Sequence, residues 1–303
     1  MTTGGETIVT EHKTWRLIDV LKQATAFLES KGIENARLNA ERLMGHVLQL
    51  PRMELYLRFD QPLGQRERDT YKSFLRRRAD HEPIQYILGS TEFMSLSFKV
   101  TPQVLVPRPE TEALVEKALS EIPLVFGSDR PVSCLDIGTG CGNIAVSMAT
   151  YSKNVSVTAI DRSEPAVKIA TENAQAHDVQ DRIDYRVLDV FASDLMEHLN
   201  GPFDVLVSNP PYVTSSEYEK LPIEIRAFEP KLALEAGSDG TIFYRRFAQL
   251  IPDLLKRPGL IILEIGENQS GMVRDILSLD GIGDIHVGQD LAGRDRIVMC
   301  RLS

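Results

Sequence analysis

The residues best suited to chemistry form one short run, Asn209-Pro210-Pro211-Tyr212, directly after the apolar stretch Val205-Leu206-Val207-Ser208. Consecutive prolines carry no N–H and a fixed φ, so a strand that reaches them must stop. What remains is a rigid turn flanked by a carboxamide and a phenol. The Asn209 side-chain oxygen and the Pro210 carbonyl could accept both hydrogens of a planar NH2 group, beside a flat aromatic face. Such a seat suits an amide or an exocyclic amine, and the turn alone does not choose between them. Asn-Pro by itself would read as a strand-ending turn; all four residues after an apolar strand read as a site.

A second constellation lies upstream. Gly138-Thr139-Gly140-Cys141-Gly142 follows Asp136, and Asp161 and Asp189 each stand at the end of a later apolar stretch. Glycines let the backbone pass close to a ligand, and an acid at the next strand end can accept ribose hydroxyls. A dinucleotide enzyme would use Gly-x-Gly-x-x-Gly with a helix N-terminus facing pyrophosphate. Here the spacing is Gly-x-Gly-x-Gly with Asp136 in front. An acid at that point suits a cationic ligand without phosphate, and S-adenosylmethionine, with its ammonium and sulfonium, is of that kind.

These residues need a scaffold that brings them together. From Pro131 onward strands and helices alternate. Strands are predicted over Val132–Ile137, Val155–Ile160, Ile183–Leu188, Phe203–Ser208 and Leu260–Ile265, with two late ones over Ile282–Val287 and Arg296–Leu302. Helices fall between them, one running through Ala149, one capped by Ser163 and one near Ile242–Leu255. The pattern predicts an α/β fold with a mainly parallel sheet covered on both faces. Ligands of such sheets bind beyond the C-terminal strand ends. Gly138–Gly142, Asp161, Asp189 and Asn209 all sit at such ends and should meet in one crevice.

The first eighty residues read differently. Apolar residues keep helical spacing from Trp15 to Ser30, closed by Lys31-Gly32, and again from about Asn35 until Pro51. A short helix over Met53–Phe59 and a charged one from Gln65 to about Asp80 follow. His81–Gly89 reads as loop, and Thr91–Val100 as a loose hairpin. Pro109 suits the first turn of a helix with acids at its positive end, expected to run to Ser120. The expected domains are therefore a small all-helical unit over 1–82, a loop and β-hairpin connector over 83–106, and the sheet domain over 107–303.

Composition narrows the function classes. The chain of 303 residues is 43% hydrophobic, with no apolar run near the roughly 18–20 residues that span a bilayer. Cys134, Cys141 and Cys300 lack metal or disulfide spacing, which fits a reducing cytosol and argues against a zinc site. A net charge of −9 argues against a general binder of nucleic-acid phosphates. The basic run Arg76-Arg77-Arg78 reads as a solvated helix face.

With these residues in view, the chain resembles the release factor glutamine methyltransferase family, S-adenosylmethionine-dependent enzymes of class I type. The resemblance is carried by His81–Gly89, Glu92-Phe93-Met94, Pro107-Arg108-Pro109-Glu110-Thr111-Glu112, Asp136–Gly142, Asn209–Tyr212, Glu229-Pro230 with Leu232-Ala233-Leu234, and Asp290 with Gly293-Arg294-Asp295-Arg296. Cys141 stands where the family often has Ser, Thr or Ala. The resemblance implies that Gly138, Thr139, Gly140, Cys141 and Gly142 wrap the methionine end of the cofactor, Asp161 holds the ribose, and Asp189 and Val190 border adenine. It implies that Asn209, Pro210, Pro211 and Tyr212 grip the substrate glutamine near Phe93, with Asn209 also beside the cofactor. The implied substrate is the Gly-Gly-Gln loop of peptide chain release factors, and the implied partner face is the helical domain. A cytoplasmic monomer that touches neither membrane nor nucleic acid is expected. The rival readings are a ribosomal-protein glutamine methyltransferase, an amino-nucleobase (N6-adenine) methyltransferase, and a cofactor-binding interaction protein without turnover.

Overall fold

The computed structural model describes residues 15–290 and 292–303, which fall into two compact units that divide between Leu88 and Gly89. The first fourteen residues of the expected helical domain lie outside the described residues.

The first unit holds α1 (Leu17–Ser30), α2 (Ala36–Leu48), α3 (Arg52–Leu57), α4 (Gln65–Ala79) and α5 (Ile84–Leu88). Helical spacing puts Leu17, Ala24 and Leu28 of α1 and Ala40, Leu43 and Met44 of α2 on inward stripes, where they form one core with Tyr71, Ile84 and Ile87. Four expectations change here. The loop expected over His81–Gly89 contains α5, because Ile84 and Ile87 are drawn into this core. The helical unit therefore runs to Leu88 rather than residue 82, and the hairpin belongs to the second unit. The second helix stops at Leu48, ahead of Pro51: Gln49 takes the left-handed conformation, and Leu50 N–H donates back to the Gly45 carbonyl at 2.9 Å. The Arg76–Arg78 run is a solvated face only in part: Arg76 is exposed and Arg77 pairs with Glu82 at the surface, but Arg78 is buried with its Nε on Asn39 Oδ1 at 2.8 Å.

The second unit opens with the antiparallel hairpin β1 (Ser90–Phe93) and β2 (Leu96–Lys99), followed by α6 (Glu110–Phe126). Then come β3 (Val132–Ile137), α7 (Asn143–Tyr151), β4 (Val155–Asp161), α8 (Glu164–Ala176), β5 (Ile183–Val187) and β6 (Phe203–Ser208). Two short helices, α9 (Ser215–Tyr218) and α10 (Ile223–Phe228), precede α11 (Ile242–Leu254), β7 (Leu255–Glu264), α12 (Ser270–Leu277), β8 (His286–Gln289) and β9 (Asp295–Leu302). The main sheet has seven strands in the order β5-β4-β3-β6-β7-β9-β8. The first five run parallel, and β9 pairs antiparallel with both β7 and β8. This is the class I methyltransferase arrangement, with the chain reversing its direction of travel across the sheet between β3 and β6.

Helix α6 passes its expected end at Ser120 and continues through Pro123, because Ile122 and Phe126 are buried on its last turns. Strand β7 begins at Leu255, five residues earlier than expected, and the first late strand is shorter, since Ile282 makes only an isolated bridge to Leu302. Helices α9 and α10 carry no long apolar stripe and escaped the periodicity reading. The core between the sheet and α11 and α12 is built from Leu135, Leu206, Ile261, Leu263, Phe247, Ile251 and Val273, and it holds the strand ends at one edge.

Candidate active site

Parallel pairing sets the site. Ile137 is level with Ile160, and Asp136 with Val207, so β3, β4 and β6 finish together, and the residues that follow face one cleft. The cleft is lined by Gly138 and Gly140 after β3, Asp161 at the end of β4, Leu188 to Phe191 after β5, and Asn209 and Pro211 after β6. It lies where the strand order reverses, the place where open α/β sheets take ligands.

The glycine loop is held from behind. Thr139 is buried and donates its hydroxyl to Asp136 Oδ2 at 2.7 Å, while Gly140 N–H donates to Asp161 Oδ2 at 3.0 Å. Asp161 Oδ1 accepts from Ser163 N–H at 2.9 Å, which fixes the carboxylate at the head of α8. Asp136 is fully buried, its Oδ1 has no hydrogen-bond partner, and burial pushes its carboxyl up to about 7. A buried carboxylate oxygen without a donor is what a ligand cation beside it would satisfy. Further along, Asp189 Oδ1 accepts from Phe191 N–H, and Arg246 of α11 donates to the Val190 and Ala192 carbonyls, so this loop is tied down. The Phe191 and Phe243 rings meet edge to face at 5.1 Å and form an apolar end of the cleft. An acid at the end of β4 able to accept hydroxyls, an unpaired acid behind the glycine turn and a tied-down loop with aromatic rings fit S-adenosylmethionine.

The turn after β6 rests on a polar network. Asn209 Nδ2 donates to Thr111 Oγ1 at 3.0 Å, and Thr111 Oγ1 donates to Glu264 Oε2 at 2.7 Å. Tyr212 donates its hydroxyl to the other oxygen, Glu264 Oε1, at 3.4 Å. Glu264, the last residue of β7, is 1% exposed, and burial pushes it up to about 7. With Nδ2 turned inward, Oδ1 is the acceptor that Asn209 presents to the cleft. The turn's backbone is fixed as well. Gln269 donates to the Tyr212 carbonyl at 2.9 Å and to the Gly240 carbonyl at 3.3 Å, and Val213 pairs with Glu235. Gly240, at φ +71°, must lack a side chain, because a Cβ would stand 2.5 Å from Gln269 Nε2 and 2.5 Å from the Tyr212 oxygen.

The opposite rim comes from Gln103-Val104-Leu105 and from Pro230, Leu232 and Ala233. Arg108 joins these two segments through an ion pair at 2.7 Å with the buried Glu229, which also accepts from Val106 N–H. The Pro107–Glu112 stretch thus serves both as a rim anchor, through Arg108, and as a prop for Asn209, through Thr111.

Not every expected residue reaches the cleft. Gly138, Gly140, Asp161, Asp189, Val190, Asn209 and Pro211 line it. Thr139 and Cys141 are buried beneath the glycine turn, and Gly142 faces Ala170 and Tyr185 on the far side. Pro210 is buried, and Tyr212 turns its hydroxyl inward to Glu264. Phe93, expected at the substrate, is 1% exposed and stacks edge to face on Phe98, since β1 turns that side chain into the core. Thr111, Glu264, Phe191, Phe243 and Gln103 were not assigned roles from sequence. Thr111 lay inside a quoted motif, but nothing in the linear chain joins it to Glu264, 153 positions away.

Comparison with known proteins agrees with this architecture. A family model described as PrmC N-terminal domain matches residues 19–89, and one described as Methyltransferase small domain matches residues 119–228. The release factor glutamine methyltransferase of Chlorobaculum tepidum is 38% identical over 292 residues, covering 96% of this chain and 98% of the relative. That of Geobacter sulfurreducens is 39% identical over 289 residues, covering 95% and 97%. Among solved structures, the hMettl16 catalytic domain in complex with MAT2A 3'UTR hairpin 6 matches with a TM-score of 0.54 at 16% identity, over 79% of this chain and 82% of that one. That likeness concerns the fold alone.

Proposed function

The chain belongs to the release factor glutamine methyltransferase family, and from that premise we propose which of its residues seat the glutamine and how they favour its methylation. The reaction moves a methyl group from S-adenosylmethionine to the side-chain amide nitrogen of a release factor glutamine, the one in the Gly-Gly-Gln loop. When bound, S-adenosylmethionine supplies an electrophilic methyl group on a sulfonium. Asp161 would hold the ribose, Asp136 would face the ammonium, and Asp189, Val190 and Phe191 would border the adenine.

The harder half of the chemistry lies with the acceptor, because an amide nitrogen has its lone pair delocalised into the carbonyl. Asn209 Oδ1 and the Pro210 carbonyl would accept the two amide hydrogens, hold the nitrogen in place and favour its pyramidal, nucleophilic form. Orientation of this kind can supply roughly 7–11 kcal/mol of a barrier. Burial of the turn's underside excludes water from the accepting groups and strengthens them. The amide proton can leave after transfer, so no general base is required.

The observation that carries this reading is the inward hydrogen bond from Asn209 Nδ2 to Thr111, which leaves Oδ1 as the end of the carboxamide free to accept. Asn209→Ala should lower single-turnover methylation of release factor by about 10²–10³, by analogy with the loss of one preorganised transition-state partner. Asn209→Asp keeps an acceptor oxygen in place and should lose clearly less at saturating cofactor. Equal, mild losses in both would reduce the turn to a structural element.

The helical unit ending at Leu88 is read as the recogniser of the release factor body. Support comes from α3, where Met53 is 75% and Leu57 81% exposed, apolar area of the kind protein partners cover. No helix among the described residues is long and apolar enough to cross a membrane. We read the protein as a cytoplasmic monomer without direct nucleic-acid contact, in line with its net charge of −9. Sedimentation of the pure protein, and its titration with RNA, test the last two points.

A further inference from the structure

We propose that Glu264 is a positioning residue for methyl transfer, acting through Thr111 to set the orientation of the Asn209 carboxamide. The inference rests on the reading of Asn209 as the acceptor for the substrate amide.

The argument begins with the symmetry of a carboxamide. Its two ends have nearly the same shape but opposite hydrogen-bonding character, and a flip by 180° would present an NH2 to the incoming NH2. Two donors facing each other cannot bind, so the seat works in only one of the two orientations. Asn209 alone holds no preference; its neighbour must impose one. That neighbour is Thr111, whose single hydroxyl both donates and accepts. Its proton goes to Glu264 Oε2 at 2.7 Å, which leaves the oxygen lone pair to accept from Asn209 Nδ2 at 3.0 Å. The direction is therefore written by the residue at the end of the chain. An ionised carboxylate can only accept, so it forces Thr111 to donate toward it and Asn209 to donate toward Thr111. Tyr212 adds a second donor to Glu264 Oε1.

Burial gives this arrangement its weight. Glu264 is 1% exposed and Thr111 1%, so water cannot supply substitute partners. The groups facing Glu264 come from four elements: Glu110 and Thr111 of α6, Tyr212 beyond β6, Arg296 of β9 and Tyr244 of α11. Arg296 favours the ionised form, Glu110 opposes it, and Thr111 and Tyr212 favour it by donating. Tyr244 gives its hydroxyl to the Glu264 backbone carbonyl at 2.9 Å and anchors the residue without touching its carboxylate. Burial outweighs the favourable contacts and pushes Glu264 up to about 7, so its protonation changes near neutrality. Once protonated, Glu264 can donate to Thr111, and the network no longer selects one face of Asn209. The outcome is a turnover rate that rises as pH climbs through about 7.

The test uses the full-length enzyme with release factor under single-turnover conditions at saturating cofactor. Thr111→Val removes the hydroxyl at nearly constant volume, and Glu264→Gln removes the acceptor-only character. Each should lower the rate at pH 8 by at least about five-fold, the scale of one net hydrogen bond, with cofactor affinity unchanged. Thr111→Ser keeps the hydroxyl and should restore most of the rate. In Glu264→Gln the rise near pH 7 should vanish, a change that a merely structural role would not produce. In an Asn209→Ala background Thr111→Val should cost nothing more, because there is no carboxamide left to orient. Thermal midpoints without ligand show which variants fold; if Glu264→Gln does not, Thr111→Val and Thr111→Ser carry the test. A large loss in Asn209→Ala with none in Thr111→Val and Glu264→Gln would overturn the positioning role and keep the seat. Little loss in Asn209→Ala itself would overturn the seat on which both rest.

Discussion

Asp136 and Asp161 are both acids close to the glycine turn, yet their surroundings give them different work. Asp161 spends its oxygens on Gly140 and Ser163 N–H groups and stays half-exposed at the cleft. Asp136 is fully enclosed, with one oxygen unpaired and its carboxyl pushed up to about 7 by burial. Near neutrality the cofactor-free protein therefore holds a fraction of a proton there. An ammonium set beside it would favour the ionised form, so cofactor binding should expel that proton, and affinity should rise with pH toward about 7 and then level off. Calorimetry at about pH 6.5 in two buffers of different ionisation enthalpy should read proton release, and Asp136→Asn should abolish it. Uptake of protons instead would place the ammonium elsewhere. At this scale the sequence was informative about residue types and silent about partners. Asn209 and Asp161 were legible because each follows an apolar strand, whereas Glu264 looked like one more charge at a strand end. Its role depends on Thr111, and only the sheet order brings the two together.

The elements position the site mostly through how they begin and end. Helix α7 starts at Gly142, which has φ +82° and lies against α8 and β5: an added Cβ would stand 2.9 Å from Tyr185 Oη and 3.0 Å from Ala170 Cβ. Gly142→Ala should therefore destabilise the fold by about 2–4 kcal/mol, from a left-handed backbone plus an overpacked contact. Denaturant unfolding measures that loss. The same change at Gly138, whose position opens into space, should cost less stability and more cofactor affinity. A result with the two glycines reversed would mean that the cleft lies on the other side of the loop. Strands β3 and β6 were legible to the residue, since each is a mainly apolar run followed at once by Gly138 or by Asn209-Pro210. Helices α5 and α10 were not, because five or six residues give periodicity too little length to register against flanking turns. Their formation is decided by tertiary burial, as with Ile84 and Ile87, which no local pattern encodes.

On the scale of the whole molecule, the chain divides at Leu88, and each unit has a core of its own. If the helical unit recognises the release factor body, Leu57→Ser should raise KM for intact release factor several-fold while leaving cofactor affinity and thermal midpoint nearly unchanged. A short Gly-Gly-Gln peptide, which offers only the loop, should be methylated equally by both proteins. Equal KM values on the intact factor would leave α3 without a role in recognition. The two-unit layout was legible from the change in hydrophobic period between residues 80 and 131, but its boundary was not, because α5 resembles a loop in sequence. The order of strands has a further bearing on how the protein comes into being. β9, which follows β7 and β8 in the chain, sits between them in the sheet and pairs with both. Throughout synthesis the apolar run Leu260-Ile261-Ile262-Leu263 has an unclaimed backbone edge on that side, a ready template for a neighbouring nascent chain. Arg296, which favours the charged Glu264, arrives on that same strand. Closure of the sheet and completion of the charge balance beneath Asn209 are thus one event, and a ribosome that releases the chain early leaves an aggregation-prone product with an unfinished active site.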